Sequence, residues 1–240
     1  MNTIENKTVA EVVSENIKTA HVFKKYGINF CCGGGITIEK ACEKKNLDYS
    51  ILKGELLKVD DAPKAYNYNS WKLDFLIDHI LNVHHVYVEE SIPLILQYSN
   101  RVAEVHGHHY PQVIKINELF TEVAAELTSH MKKEEIVLFP YIKSLLSHKN
   151  DGKLLTQPTF GAINNPITMM ESEHESAGDI FKEIEKLANN YVPPEDACNT
   201  FRALYAALYE FVQDLHQHIH LENNILHPKA KKLEKETIAF

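Results

Sequence analysis

Phe201, Leu204, Leu208, Phe211 and Leu215 follow one another at alternating steps of three and four, and the same face continues through His218 and Glu222 to Ile225. Such steps keep residues on one side of an α-helix, and an apolar stripe of this kind faces a core. A histidine and a glutamate in that seam therefore constrain the fold strongly. A second segment does the same: Phe120, Val123 and Leu127 lead through His130 and Glu134 to Val137 and Tyr141. In a third, His174 stands between Met170 and Ala177. In a fourth, either His84 or His85 completes the line from Leu81 to Val88.

These stripes belong to four long helical patterns after Ser70. The first runs from Trp71 to about Val105 and the second from Gln112 to about Leu146. The third opens at Asn165-Pro166, with proline at the first helical position, and the fourth at Pro193-Pro194. Glycine and proline number only nine each in 240 residues, which favours long helices over turn-rich β structure. Four such helices joined by loops make an antiparallel four-helix bundle, so the expected fold is all-α. Residues 1–58 read as a small helical domain: Thr8 caps a turn through Ser14, and Ile17–Tyr26 is stopped by Gly27. Thr37 caps Ile38–Lys45, and Asp48 caps Tyr49–Lys58. Residues 59–69 read as a linker and 70–240 as the bundle.

Burying an uncompensated carboxylate costs several kcal/mol or forces it to become neutral. Two carboxylates and four imidazoles converging in one core call for a cation. No lysine or arginine lies near them on the inner stripes, and a metal ion satisfies both the charge and the lone pairs. His130-x3-Glu134 and His218-x3-Glu222 each place an imidazole and a carboxylate one helical turn apart. Each motif reaches a proline, Pro140 or Pro228, ten residues after its histidine. His85 precedes His130 by 45 residues and His174 precedes His218 by 44, so the bundle is an internal repeat; that spacing selects His85 over His84. Nitrogen and oxygen ligands without thiolate suit iron, ahead of manganese or zinc. Six ligands fit two metals, each with two histidines and both bridged by the two glutamates, with coordination positions left open.

Four cysteines occur without a secretory pattern at the start, MNTIENKTVAEVV, so a disulfide framework is not expected. Cys42 and Cys198 lie in helical patterns and are expected to be buried as small apolar residues. Cys31-Cys32 sits in a loop before Gly33, Gly34 and Gly35, where it is a candidate redox or metal-transfer pair. The histidines of the loop His106-Gly107-His108-His109-Tyr110-Pro111 are expected to be exposed, and His220 and His227 are additional histidines to which the sequence assigns no role.

Composition closes other routes. Net charge is −8, from 25 basic and 33 acidic side chains, with no basic stripe, so no nucleic-acid partner is expected. Residues 1–58 hold nine lysines against seven acidic residues, a weak charge complement to the acidic remainder. No apolar run exceeds seven residues, whereas a membrane span needs about 20, so neither a membrane partner nor a site outside the cytoplasm is expected.

The motifs resemble those of a known family. Tyr26-x3-Phe30-Cys31-Cys32-Gly33-Gly34 is similar to the short N-terminal domain of the RIC (repair of iron centres) proteins. Ser129-His130-Met131-Lys132-Lys133-Glu134-Glu135, Leu138-Phe139-Pro140, Met170-Glu171-Ser172-Glu173-His174 and His218-Ile219-His220-Leu221-Glu222-Asn223-Asn224 resemble the hemerythrin-like domain of the same family. The resemblance implies a non-haem di-iron protein that restores iron–sulfur clusters damaged by nitrosative or oxidative stress. Its ligands would be His85, His130, Glu134, His174, His218 and Glu222, with the two glutamates and an oxo or hydroxo group as bridges. An oxygen-carrying hemerythrin matches less well, because Gly178 stands four after His174, and His-x3-Glu replaces His-x4-Asp. Damaged iron–sulfur proteins are the expected partners and nitric oxide or oxygen the small ligands; a homodimer is compatible with the sequence. Three functions remain open: iron donation during repair, with Glu126 and Glu173 as stepping carboxylates; nitric oxide reduction or scavenging at the diferrous pair; and sensing of oxygen, nitric oxide or iron.

Overall fold

A computed structural model describes residue 4 and residues 6–59 and 66–238. Residues 60–65, most of the expected linker, lie outside the described residues. Eleven α-helices are described: α1 (Val9–Glu15), α2 (Ala20–Lys25), α3 (Ile38–Lys45), α4 (Tyr49–Leu56), α5 (Leu73–His79), α6 (Val86–His106), α7 (Gln112–Lys133), α8 (Phe139–Asp151), α9 (Asn164–Leu187), α10 (Asn199–Leu221) and α11 (His227–Ile238). Single π-helical segments, Ile80–His85, Glu134–Leu138 and Glu222–Leu226, join α5 to α6, α7 to α8 and α10 to α11. Four long rods result, and the fold is all-α. Among the described residues the only extended pairing is an isolated bridge between Thr8 and Thr37. No described helix is long and apolar enough to cross a membrane.

Two compact units form. One takes Asp78–Ser144 and Leu154–His216. Within it α6, α7, α9 and α10 supply a four-helix bundle, because each presents one continuous apolar stripe. Phe120, Phe181 and Phe211 meet at its centre with ring centroids 5.6 to 6.4 Å apart. The turn between α6 and α7 needs Gly107, since a Cβ there would lie 2.4 Å from the Ala103 carbonyl. The fourth rod starts at Asn199, later than Pro193-Pro194 suggests. Arg202 explains the delay: its guanidinium donates to the carbonyls of Glu195 (2.6 Å) and Ala197 (3.0 Å), holding this stretch as turns.

The other unit takes Met1–Ile77, Leu145–Lys153 and Gln217–Phe240, as far as these are described. Here α1 begins with a capping box. The Thr8 hydroxyl accepts from the Glu11 N–H at 3.1 Å, and the Thr8 N–H donates to the Glu11 carboxylate at 2.7 Å. Thr37 and Asp48 cap α3 and α4 through their side chains. Gly27, at φ +65°, ends α2 in a left-handed conformation. Val9, Val13, Phe23 and Leu52 are fully buried in this unit, which gives the short helices a common core.

The π segments change which residues face inward. An added residue in a helical turn rotates everything after it. On the α7–α8 rod the seam therefore continues through Leu138, which is buried, while Val137, expected in the core, is 41% exposed. On the α5–α6 rod the same effect buries both His84 and His85.

Candidate metal centre

The carboxylates of Glu134 and Glu222 are both 0% exposed, and His85, His130, His174 and His218 are buried as well. Glu134 opens one π segment, Glu222 opens another and His85 closes the third. Single π turns recur at functional sites because they break the i, i+4 ladder and re-aim side chains. Two groups among the described residues are placed to hold metal ions: His85, Glu134, His218 and Glu222, and His130, Glu134, His174 and Glu222. In each, one ligand atom per residue lies within 4.8 Å of all the others. Glu134 and Glu222 belong to both groups.

The individual contacts show how the side chains are aimed. Glu134 lies 3.4 Å from His85 Nε2 and 3.5 Å from His130 Nε2. Glu222 lies 3.1 Å from His218 Nε2. His130 Nε2 faces His174 Nε2 at 3.0 Å. On the opposite edge of its ring, His130 Nδ1 donates to the Glu173 carboxylate at 2.7 Å. With that proton held by Glu173, the Nε2 lone pair of His130 is directed at His174. Two imidazole nitrogens aimed at one another across such a gap form the donor arrangement for a shared cation. His85 is oriented alike, its Nδ1 2.9 Å from Glu135. Carboxylates behind metal-binding imidazoles fix the tautomer and raise the basicity of the nitrogen in front.

Burial pushes the Glu135 carboxyl up, but hydrogen bonds from His85 and Lys132 outweigh it, and it lies below the usual carboxylate range. Glu173 behaves likewise: burial opposes, and Lys133 and His130 prevail. Both stay ionised and able to hold an imidazole proton. Lys133 also pairs with Glu173, so this carboxylate is engaged on two sides instead of being simply solvated.

His84, beside His85, belongs to neither group. Its Nδ1 lies 2.9 Å from Asp214. His220 and His227, to which the sequence assigns no role, are fully buried. His220 Nε2 lies 3.0 Å from the Ser14 hydroxyl, and burial pushes its imidazole down to about 4, the Phe30 carbonyl opposing. His108 and His109 are exposed, and His106 Nε2 lies 3.2 Å from Cys198 Sγ. Cys198 is exposed, against expectation, because α10 starts one residue later and leaves it in the preceding turn. Cys42 is buried.

Cys31 is buried and Cys32 half-buried. Asn29 Oδ1 accepts from Cys31 N–H at 3.0 Å, Cys32 N–H at 3.1 Å and Cys31 Sγ at 3.2 Å. Gly34 permits the turn, since a Cβ there would lie 2.4 Å from the Phe30 carbonyl. Sequence reasoning missed Asn29, Glu135, Asp214 and Asn224. Only Glu135 had a visible signal, a second carboxylate next to the buried one.

Residues 76–230 match the hemerythrin family, described as the hemerythrin HHE cation binding domain. The chain belongs to this family. Residues 5–60 match the ScdA N-terminal domain, described as a domain of unknown function, DUF542. The hemerythrin-like chain is also 36% identical over 214 residues to the iron-sulfur cluster repair protein YtfE of Escherichia coli O81 (strain ED1a). That alignment covers 89% of this chain and 91% of the relative. The proteins of the same name from Escherichia coli O1:K1 / APEC and Escherichia fergusonii match with equal identity and coverage. Membership in the family of iron-centre repair proteins follows from this similarity along nearly the whole chain. A hemerythrin-type domain and the buried histidine–glutamate groups together identify two non-haem iron ions as the cofactor.

Proposed function

We propose that this protein repairs iron–sulfur clusters damaged by nitrosative or oxidative stress, holding two iron ions in the bundle and donating iron to the damaged centre. The observation behind it is the pair of fully buried carboxylates shared by two histidine groups. His85, His130, Glu134, His174, His218 and Glu222 are the proposed ligands, with Glu134 and Glu222 as bridges. When bound, the iron supplies a labile, redox-active ion with positions open to small ligands such as nitric oxide or oxygen. Glu135 and Glu173 hold the Nδ1 protons of His85 and His130 and keep their Nε2 atoms turned inward.

Glu126 and Glu173 line a surface groove of about 470 Å³ together with Ser129, Lys133 and Ser176. Glu173 touches His130, so the groove begins beside a proposed ligand. This supports a route along which carboxylates pass iron outward. Residues 1–58 are proposed as a separate functional part carrying Cys31-Cys32 as the redox or metal-transfer pair, joined by 59–69 to the bundle in 70–240. Damaged iron–sulfur proteins are the proposed partners, and the cytoplasm is the proposed place of action. The test is to load the chain with iron and mix it with an apo iron–sulfur protein. Cluster formation faster than with an equal amount of free iron is expected; no advantage over free iron overturns the reading.

A further inference from the structure

The two cysteines of the loop are adjacent in sequence but differently held, and the difference comes from the C-terminal rod. Asn224 Nδ2 donates to the Cys31 carbonyl at 2.9 Å and reaches the Phe30 carbonyl at 3.4 Å. It also lies 3.2 Å from His220 Nδ1. His220 is fully buried against the Phe30 ring, with centroids 6.0 Å apart, and its Nε2 meets the buried Ser14 hydroxyl at the end of α1. The backbone of Phe30 and Cys31 is thus held from the C-terminal rod, while Asn29 braces the loop from within. Cys31 is consequently 5% exposed, with its thiol directed at Asn29, whereas Cys32 is half-buried.

His220 and Asn224 alternate in sequence with His218 and Glu222, the proposed ligands. One short stretch therefore serves both the cysteine loop and the metal groups. We propose that Asn224 is a positioning residue: with His220 and Ser14 behind it, it keeps Cys31 buried and leaves Cys32 as the thiol that reacts first. This rests on the proposed role of the cysteine pair in repair and assigns an order within it. Cys32 is the entry thiol, and Cys31 becomes available only when the Asn224 contact opens.

The test uses the full chain, iron-loaded and anaerobic, treated with iodoacetamide and read at each cysteine by fragmentation mass spectrometry. The thiol gives its proton to buffer, and the resulting thiolate displaces iodide from the reagent, forming a carbon–sulfur bond. Cys32 should label about tenfold faster than Cys31, and Asn224→Ala should raise the Cys31 rate about tenfold, as expected for loss of one half-buried hydrogen bond that closes a local opening. Asn224→Gln, which retains an amide donor, should restore part of the protection, a rescue that general loosening would not give. Should Asn224→Ala fail to fold, Ser14→Ala reads the same quantity with a smaller rise. Equal labelling of both cysteines in the unaltered chain, or an unchanged Cys31 rate in the variants, overturns the proposal. Labelling does not depend on cluster repair, so an asymmetry found in a protein without repair activity would refute the functional reading and leave this one standing.

Discussion

Two levels of the same bundle are equally buried and chemically opposite. At one, Phe181 and Phe211 stack and both meet Phe120 edge to face in an aromatic layer. At the other, His85, His130, Glu134 and His174 occupy the continuation of the same stripes. The aromatic layer is stable with no partner, because burying apolar surface is favourable in itself. The polar level brings ionisable groups out of water and needs a cation to compensate. One helical periodicity thus carries a scaffold and a site, and the two should respond differently to substitution.

The largest expected effect comes from removing a shared carboxylate. Glu134→Leu takes one ligand from both groups, so iron retained after desalting should fall close to zero by elemental analysis. In the iron-free chain the same change should alter stability by less than about 3 kcal/mol, because relief of a fully buried carboxylate offsets the loss of its contacts with His85 and His130. A larger loss of stability in the iron-free chain would break the contrast. Phe211→Ala should do the reverse, costing about 3–5 kcal/mol in denaturant unfolding while iron content per folded chain holds.

A pH experiment sharpens the contrast further. Burial holds His220 down at about 4, below its unfolded value of about 6.5. Its folded form binds fewer protons than its unfolded form, so its contribution is complete above pH 6.5 and is lost as pH falls toward 4. That loss amounts to about 3 kcal/mol at most. Unfolding of the iron-free chain measured across this range should show the decline, and His220→Gln should flatten it. A smaller effect is expected behind the ligands. Glu173→Ala leaves His130 in place but removes its Nδ1 partner, and should weaken iron binding roughly 10- to 100-fold in chelator competition, with little change in fold. An unchanged affinity would mean that Glu173 serves Lys133 and not the imidazole.

Much of this molecule can be read along the chain. Thr8, Thr37 and Asp48 announce helix starts because capping is decided within three residues. The apolar steps around Phe120 and Phe211 announce the core because helical geometry is regular there. Reading fails where that regularity is interrupted. Val137 is exposed and Leu138 buried because a π segment intervenes, and no local preference marks that segment. Cys198 is exposed because Arg202 holds the preceding turns open against helix formation. His220 is buried because a loop nearly 190 residues earlier covers it, and nothing in its own neighbourhood encodes that.

What the chain decides alone is local: which stretches wind, where they start, and that imidazoles and carboxylates share their inner faces. Which carboxylate stands behind each imidazole, and which of two neighbouring thiols is sheltered, depend on groups brought together from distant positions. Their energies are single hydrogen bonds, too small to leave a periodic signature and large enough to be fixed once the helices have packed.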